Sequence, residues 1–218
     1  MTKEIKRAGE TESIMDSILG GDIGVSGGGF GVRNHIYFNE DINDNSTKEL
    51  VMQLHELALG IVDECLKTGC EPCPIELHLN SKGGSLEDSL QIIQTIENIQ
   101  SGRACKVGET FIPICVNTHI EGEVDSGASL VACVGSYRTC SKYSMCLIHP
   151  MRSIDATYKT IEEQTVAIKN NARWNEIYLN IYLKHSSLSK EELEEMMKTE
   201  TFYTPEELIK FGLIEEIV

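Results

Sequence analysis

The sequence predicts an α/β fold with largely parallel strands, and three observations predict it. Short apolar runs of strand length alternate with longer helical repeats along the chain. The breaks between them are built from Gly, Asn and other turn-forming residues. No internal repeat or linker divides the 218 residues, a length at which one domain is the default.

The elements follow in order. The run GGDIGVSGGGFG over 20–31 has too few apolar anchors for a regular element, so residues 1–33 are expected to be a flexible N-terminal segment and 34–218 the folded domain. His35 to Phe38 reads as a short strand. Ser46, with Glu49 three residues on, predicts a helix start, and Leu50, Leu54, Leu57 and Ile61 give that helix one apolar face until Gly69 closes it. Ile75 to Leu79 alternates as a half-buried strand does, and Asn80 to Gly84 turn the chain into a second helix with Leu86, Leu90, Ile93 and Ile96 as its buried stripe. Ser101 to Thr110 is expected to be a loop, followed by the apolar run Ile112 to Val116. Ala128 to Val134 is small and apolar enough for a tightly packed helix, and Met145 to Ile148 is a short strand ending at His149 and Pro150. From Tyr158 to about His185 a long helix is predicted, with Trp174, Ile177, Tyr178, Ile181 and Tyr182 on one side. The last helix is fully specified: Thr204 as N-cap, Pro205 at the first position, Glu207 three after the cap and Gly212 at the stop.

Charge and cysteine usage bound the function. Lys and Arg total 19 against 34 Asp and Glu, and a formal net charge of -15 repels a phosphate backbone, so nucleic acid is not an expected partner. Met1 to Glu10 is charged with no apolar run behind it and no stretch of about 18 apolar residues follows, so neither secretion nor membrane insertion is expected. Cys115, Cys133 and Cys146 sit in apolar or small-residue runs, as reduced cysteines do, and a reducing cytoplasm is the simpler reading. Cys65, Cys70 and Cys73 form a C-x4-C-x2-C cluster whose thiolates suit zinc only with a fourth ligand, and none is evident apart from the distant Cys105. No metal and no cofactor is expected.

The chemistry centres on one serine. Ser126 in GEVDSGAS follows an apolar run and directly precedes a small-residue helix, so its hydroxyl would stand at a strand-to-helix turn with helix amides nearby. From local sequence alone an ordinary N-cap fits equally well, since the G-x-S-x-G elbow is absent. His149, at a strand end, is either a general base or a satisfied, partly buried polar group.

The string from Gly122 to Pro150 resembles the active-site region of the Clp protease proteolytic subunits, where G-Q-A-A-S is followed by a small-residue helix and then M-I-H-Q-P. Here Gly122 to Ser126 match the first piece, and Leu147, Ile148, His149 and Pro150 the second. Upstream, Leu79 to Gly84 (LNSKGG) resembles the family's I-N-S-P-G-G. Downstream, Thr199 to Glu215 (TETFYTPEELIKFGLIE) resembles its ending, in which a catalytic Asp precedes an aromatic residue and a helix closes at Y-G-L-V-D. The resemblance runs from about Asn34 to the C-terminus. It departs from the family at Lys82, Glu123 and Asp125 and in the longer segment Ser101 to Val116.

That resemblance implies a superhelix of ββα units, shared with the crotonases, with 158–185 as a projecting handle helix. It implies a serine endopeptidase with Ser126 as nucleophile, His149 as general base and Glu200 in place of the third, carboxylate member. It assigns the amides of Gly83 and Gly127 to the oxyanion hole. As partners it implies polypeptide substrates, further copies of the chain in heptameric rings stacked as a tetradecamer, and an AAA+ unfoldase. Two alternatives stay open: an inactive structural or regulatory subunit of the same architecture, and a crotonase-type acyl-CoA enzyme, which the Ser126 and His149 pair disfavours.

Overall fold

Strand pairing carries the chain's geometry to one end of a single sheet. The computed structural model describes residues 34–150 and 160–218; the expected N-terminal segment 1–33, and Tyr158 at the expected start of the long helix, lie outside the described residues. In chain order the elements are β1 (His35–Phe38), α1 (Asp44–Thr68), β2 (Ile75–Ser81), α2 (Leu86–Gln100), β3 (Lys106–Val107), β4 (Thr110–Phe111), β5 (Val116–Asp125), α3 (Gly127–Cys133), β6 (Arg138–Cys140), β7 (Met145–Ile148), α4 (Ile161–His185), α5 (Lys190–Met196), β8 (Thr201–Tyr203), α6 (Pro205–Lys210) and β9 (Glu216–Ile217). Among the described residues, seven strands form the main sheet in the order β1-β2-β5-β6-β9, with β7 joining β5 and β8 joining β7. Every pairing in it is parallel except β7 with β8, which fits the predicted α/β class.

Strand β5 is the hub. Its first half pairs with β6 (Thr118↔Arg138 to Ile120↔Cys140), and its last three residues pair instead with β7 (Glu123↔Met145 to Asp125↔Leu147). The switch is made by a bulge opposite β2, where Leu79 faces Ile120 but Ser81 faces Val124. Gly122 allows it, with φ at 89° and Asn80 Oδ1 2.9 Å from where a methyl group would sit. Asn80 Oδ1 accepts from Glu123 N–H (3.1 Å) and Ser144 Oγ accepts from Gly122 N–H (2.8 Å), so the kink leaves neither amide unpaired. The bend re-aims the last residues of β5 toward Ser126.

The core lies between one sheet face and helices α1, α2 and α3. Ile75, Leu77 and Leu79 of β2, Leu54 and Ile61 of α1, Ile92, Ile96 and Ile99 of α2 and Leu130 of α3 are all buried. The predicted α2 stripe holds at Ile93 and Ile96, while Leu86 and Leu90 are only half-buried. Truncating Leu77, which has no exposed surface, is expected to cost about 2–5 kcal/mol. The midpoint of urea unfolding of Leu77→Ala checks this. On the opposite face Tyr37, His78 and His119 stack at 4.4 and 4.7 Å, with Glu121 and Glu76 against the two imidazoles at 2.6 Å each.

Several boundaries differ from the sequence reading. Helix α1 begins three residues before the expected start, because Asn43 is the N-cap: its side chain accepts from Asn45 and Ser46 N–H, and Ser46 Oγ accepts from Asn43 N–H. Ser46 is the far half of a capping box rather than the cap. The small β3–β4 hairpin runs from the expected loop 101–110 into Phe111, and the apolar run Ile112 to Val116 is strand only at Val116, where β5 begins. Described helix α4 starts at Ile161, with Thr160 and Glu163 forming its capping box. Its Tyr178 and Tyr182 are buried, whereas Ile177 on the expected apolar side is exposed. Ile161, Val166 and Ile168 in its first half are exposed as well.

Candidate active site

Ser126 is the strained residue among those described. It has φ 52° and ψ -124°, and no other described non-glycine residue has a positive φ. A side chain held there is unfavourable by about 1–3 kcal/mol and persists only where its surroundings fix it. The surroundings do so through hydrogen bonds on both sides of the residue. Ser126 N–H donates to Leu147 O on β7 (3.0 Å), and Ser126 O accepts from Ser129 N–H (3.0 Å) and from Ser129 Oγ (2.6 Å). The effect is a sharp strand-to-helix turn that leaves the serine partly exposed at the top of β5.

Buried tyrosines on α4 extend this frame. Ser129 Oγ already gives its proton to Ser126 O, so Tyr182 O–H donates to Ser129 Oγ, while Tyr178 O–H donates to His149 O (3.1 Å). One turn of one helix therefore braces the backbone at both Ser126 and His149. Burial raises both phenols above their ordinary range, so they remain protonated donors.

His149 and Glu200 reach the same end of the sheet by register. Asp125 pairs with Leu147, which puts His149 just past the adjoining strand end. Ile148 pairs with Thr201 in the antiparallel β7–β8 ladder, and carrying that register one residue further sets Glu200 opposite His149. Glu200 is exposed. The imidazole Nδ1 lies 2.7 Å from Pro150 O. A carbonyl only accepts, so Nδ1 holds the proton and Nε2 carries the lone pair, the tautomer a general base needs. Among the described hydrogen bonds, none joins Ser126 Oγ to the His149 ring, and Pro150 O holds the position at Nδ1 that a third triad member would take.

The glycine turn packs directly against the serine. A methyl group on Gly83 would lie 2.4 Å from Asp125 O, 2.9 Å from Gly127 N and 2.9 Å from Ser126 Cβ. Gly127 N–H, at the first position of α3, has no acceptor within its own helix. Gly83 N–H donates to Ser81 Oγ (3.1 Å), whereas the next amide, Gly84 N–H, enters none of the described hydrogen bonds. Sequence reasoning passed over Gly84, Ser129 and the functions of Tyr178 and Tyr182. Beside the turn a cleft of about 450 Å³ is lined by Asn39, Glu40, Asp41, Asn80, Ser81, Lys82 and Glu123, three carboxylates against one ammonium.

Asp125 is the unusual neighbour. It is buried, and its carboxyl is raised to about 7 by desolvation first and by the Glu123 carboxyl second, against lowering by Leu147 N–H and Lys82. The folded chain thus keeps a proton that the unfolded chain sheds near 3.8, so this group makes stability fall as pH rises between those values.

Elsewhere, Cys65 and Cys70 bring their sulfurs to 3.6 Å, and burial raises the Cys65 thiol to about 11. Among the described residues no group of three His, Cys, Asp or Glu side chains is gathered to hold a metal ion, and no helix is long and apolar enough to cross a membrane.

Comparison with known proteins gives two findings. The model of the Clp protease family matches residues 31–218. The ATP-dependent Clp protease proteolytic subunit of Mesostigma viride is 23% identical over 186 residues, which cover 84% of this chain and 70% of the relative.

Proposed function

Because this chain belongs to the Clp protease family, we propose that it is a serine endopeptidase that cleaves unfolded or short polypeptides through an acyl-enzyme. The observation that carries the proposal is the meeting of three strand ends: strained Ser126 after β5, His149 after β7 and Glu200 before β8. In the mechanism, His149 Nε2 takes the Ser126 hydroxyl proton as Oγ attacks a peptide carbonyl, then returns it to the departing amine. Water, deprotonated by the same imidazole, releases the acyl group. Gly127 N–H and the Gly83–Gly84 turn bind the oxyanion; Gly83 N–H serves once the Ser81 hydroxyl turns away, and Gly84 N–H is the alternative donor. Glu200 replaces Pro150 O at Nδ1 when the site is assembled. The single domain 34–218 would stack through the exposed first half of α4 into a barrel of rings, fed by an AAA+ unfoldase.

The contact between Nδ1 and Pro150 O also favours a second reading, an inactive subunit of the same barrel. A fluorophosphonate probe, which phosphonylates only an activated serine, separates the two. Modification is expected at Ser126, absent from Ser126→Ala, as read by mass spectrometry of the labelled peptide. A folded protein that takes up no probe would be the inactive subunit.

A further inference from the structure

Asp125 stands immediately before the proposed nucleophile, and in a serine peptidase a carboxylate there opposes the charge that must form on the substrate oxygen. Its geometry suggests how the chain tolerates it. Asp125 Oδ1 accepts from Leu147 N–H (3.2 Å), and Leu147 O accepts from Ser126 N–H (3.0 Å). Both backbone groups of Leu147 are therefore clasped by consecutive residues of β5, two positions before His149. We propose that Asp125 is a positioning residue that works in its protonated form, one oxygen accepting from Leu147 and the hydroxyl donating to Glu123. The clasp fixes the distance between the strand ends that carry Ser126 and His149, and neutrality keeps negative charge away from the oxyanion. The proposal rests on the peptidase reading of the site.

The groups facing this carboxyl are few. Glu123 on the same strand disfavours its ionisation, while Leu147 N–H and Lys82 in the β2–α2 turn favour it; the buried Cys146 thiol on β7 stays neutral, held up by its own burial first and by the Asp125 charge second. A buried carboxyl raised to about 7, by desolvation first and by Glu123 second, agrees with a proton kept until the pH approaches neutrality. Loss of that proton would charge the site and weaken acylation, so the peptidase should carry a falling alkaline limb of its own making.

The test is the second-order rate of Ser126 modification by a fluorophosphonate between pH 5.5 and 9, for the parent, Asp125→Asn and Glu123→Gln, with circular dichroism at each pH as the folding control. The parent rate is expected to fall by about tenfold for each pH unit above the Asp125 inflection. Asp125→Asn, which keeps an acceptor for Leu147 N–H but has no charge to acquire, is expected to stay on a plateau to pH 9. Glu123→Gln removes a neighbour that holds the proton in place, so its falling limb should move to lower pH. If Asp125→Asn does not fold, the direction of the Glu123→Gln shift decides. Identical profiles for parent and variants, with Ser126 labelled in all, would overturn the role of Asp125 and leave the peptidase reading intact. Absence of labelling in the folded parent at every pH would overturn both.

Discussion

Replacing His149 by alanine is expected to lower kcat/KM for an unstructured peptide by about 10⁴- to 10⁶-fold, since removing the base disables the whole relay rather than one contact. Substrate binding should change little, because in the proposed mechanism the imidazole acts on the serine proton and not on the chain being cut. Structural damage is a poor rival explanation: the ring is only half-buried, and the bond from Tyr178 O–H goes to the His149 carbonyl, which alanine keeps. Glu200→Gln makes the companion measurement. A carboxylate opposite Nδ1 stabilises the imidazolium that forms during acylation, and its loss should lower kcat/KM by about 10²-fold or more. A Glu200→Gln enzyme within threefold of the parent would instead assign the orienting role to Pro150 O, which already meets Nδ1.

How far the sequence foretells such a site depends on what each feature is made of. Locally encoded features were legible: the box Thr204-x-x-Glu207 with Pro205 places α6, and Gly69, with its left-handed backbone, ends α1. Nested signals were not resolved, since Asn43 and Ser46 both head plausible capping boxes and only the fold chooses Asn43. Strands β6, β8 and β9 have two or three residues each and no alternation of their own; they exist because β5, β7 and β6 offer edges to pair with. Strand β5 was not marked out beyond its first residue because its outward positions include Asn117, His119 and Glu121, polar side chains satisfied across the strand face rather than by solvent alone. At the site, Ser126 and His149 stand in recognisable strings. The clasp of Asp125 on Leu147 and the bracing by Tyr178 and Tyr182 join residues 22 to 53 positions apart, and only strand register and helix rotation bring them together.

Gly83→Ala is expected to damage acylation and stability together. At φ 78° an alanine costs about 1 kcal/mol in backbone conformation alone. Here the added carbon would also meet Asp125 O at 2.4 Å and Gly127 N and Ser126 Cβ at 2.9 Å, all of them backbone or backbone-attached and unable to swing aside. Relief requires the Gly83–Gly84 turn to retreat from the serine, which carries one wall of the proposed oxyanion site with it. An oxyanion donor displaced in this way is worth about 10²- to 10³-fold in rate, so acylation of Ser126 should fall at least that far, alongside a clear loss of stability. Gly69→Ala separates the two effects. Its φ of 73° brings the same backbone cost, but nothing lies within 4 Å of the new methyl group, and the site is not involved. Matched urea midpoints and fluorophosphonate rates should therefore show Gly69→Ala less stable by about 1 kcal/mol yet labelled at the parental rate. A Gly83→Ala protein that also labels at the parental rate would mean that the turn does not bound the reacting oxygen, and the oxyanion donors would have to be sought away from β2.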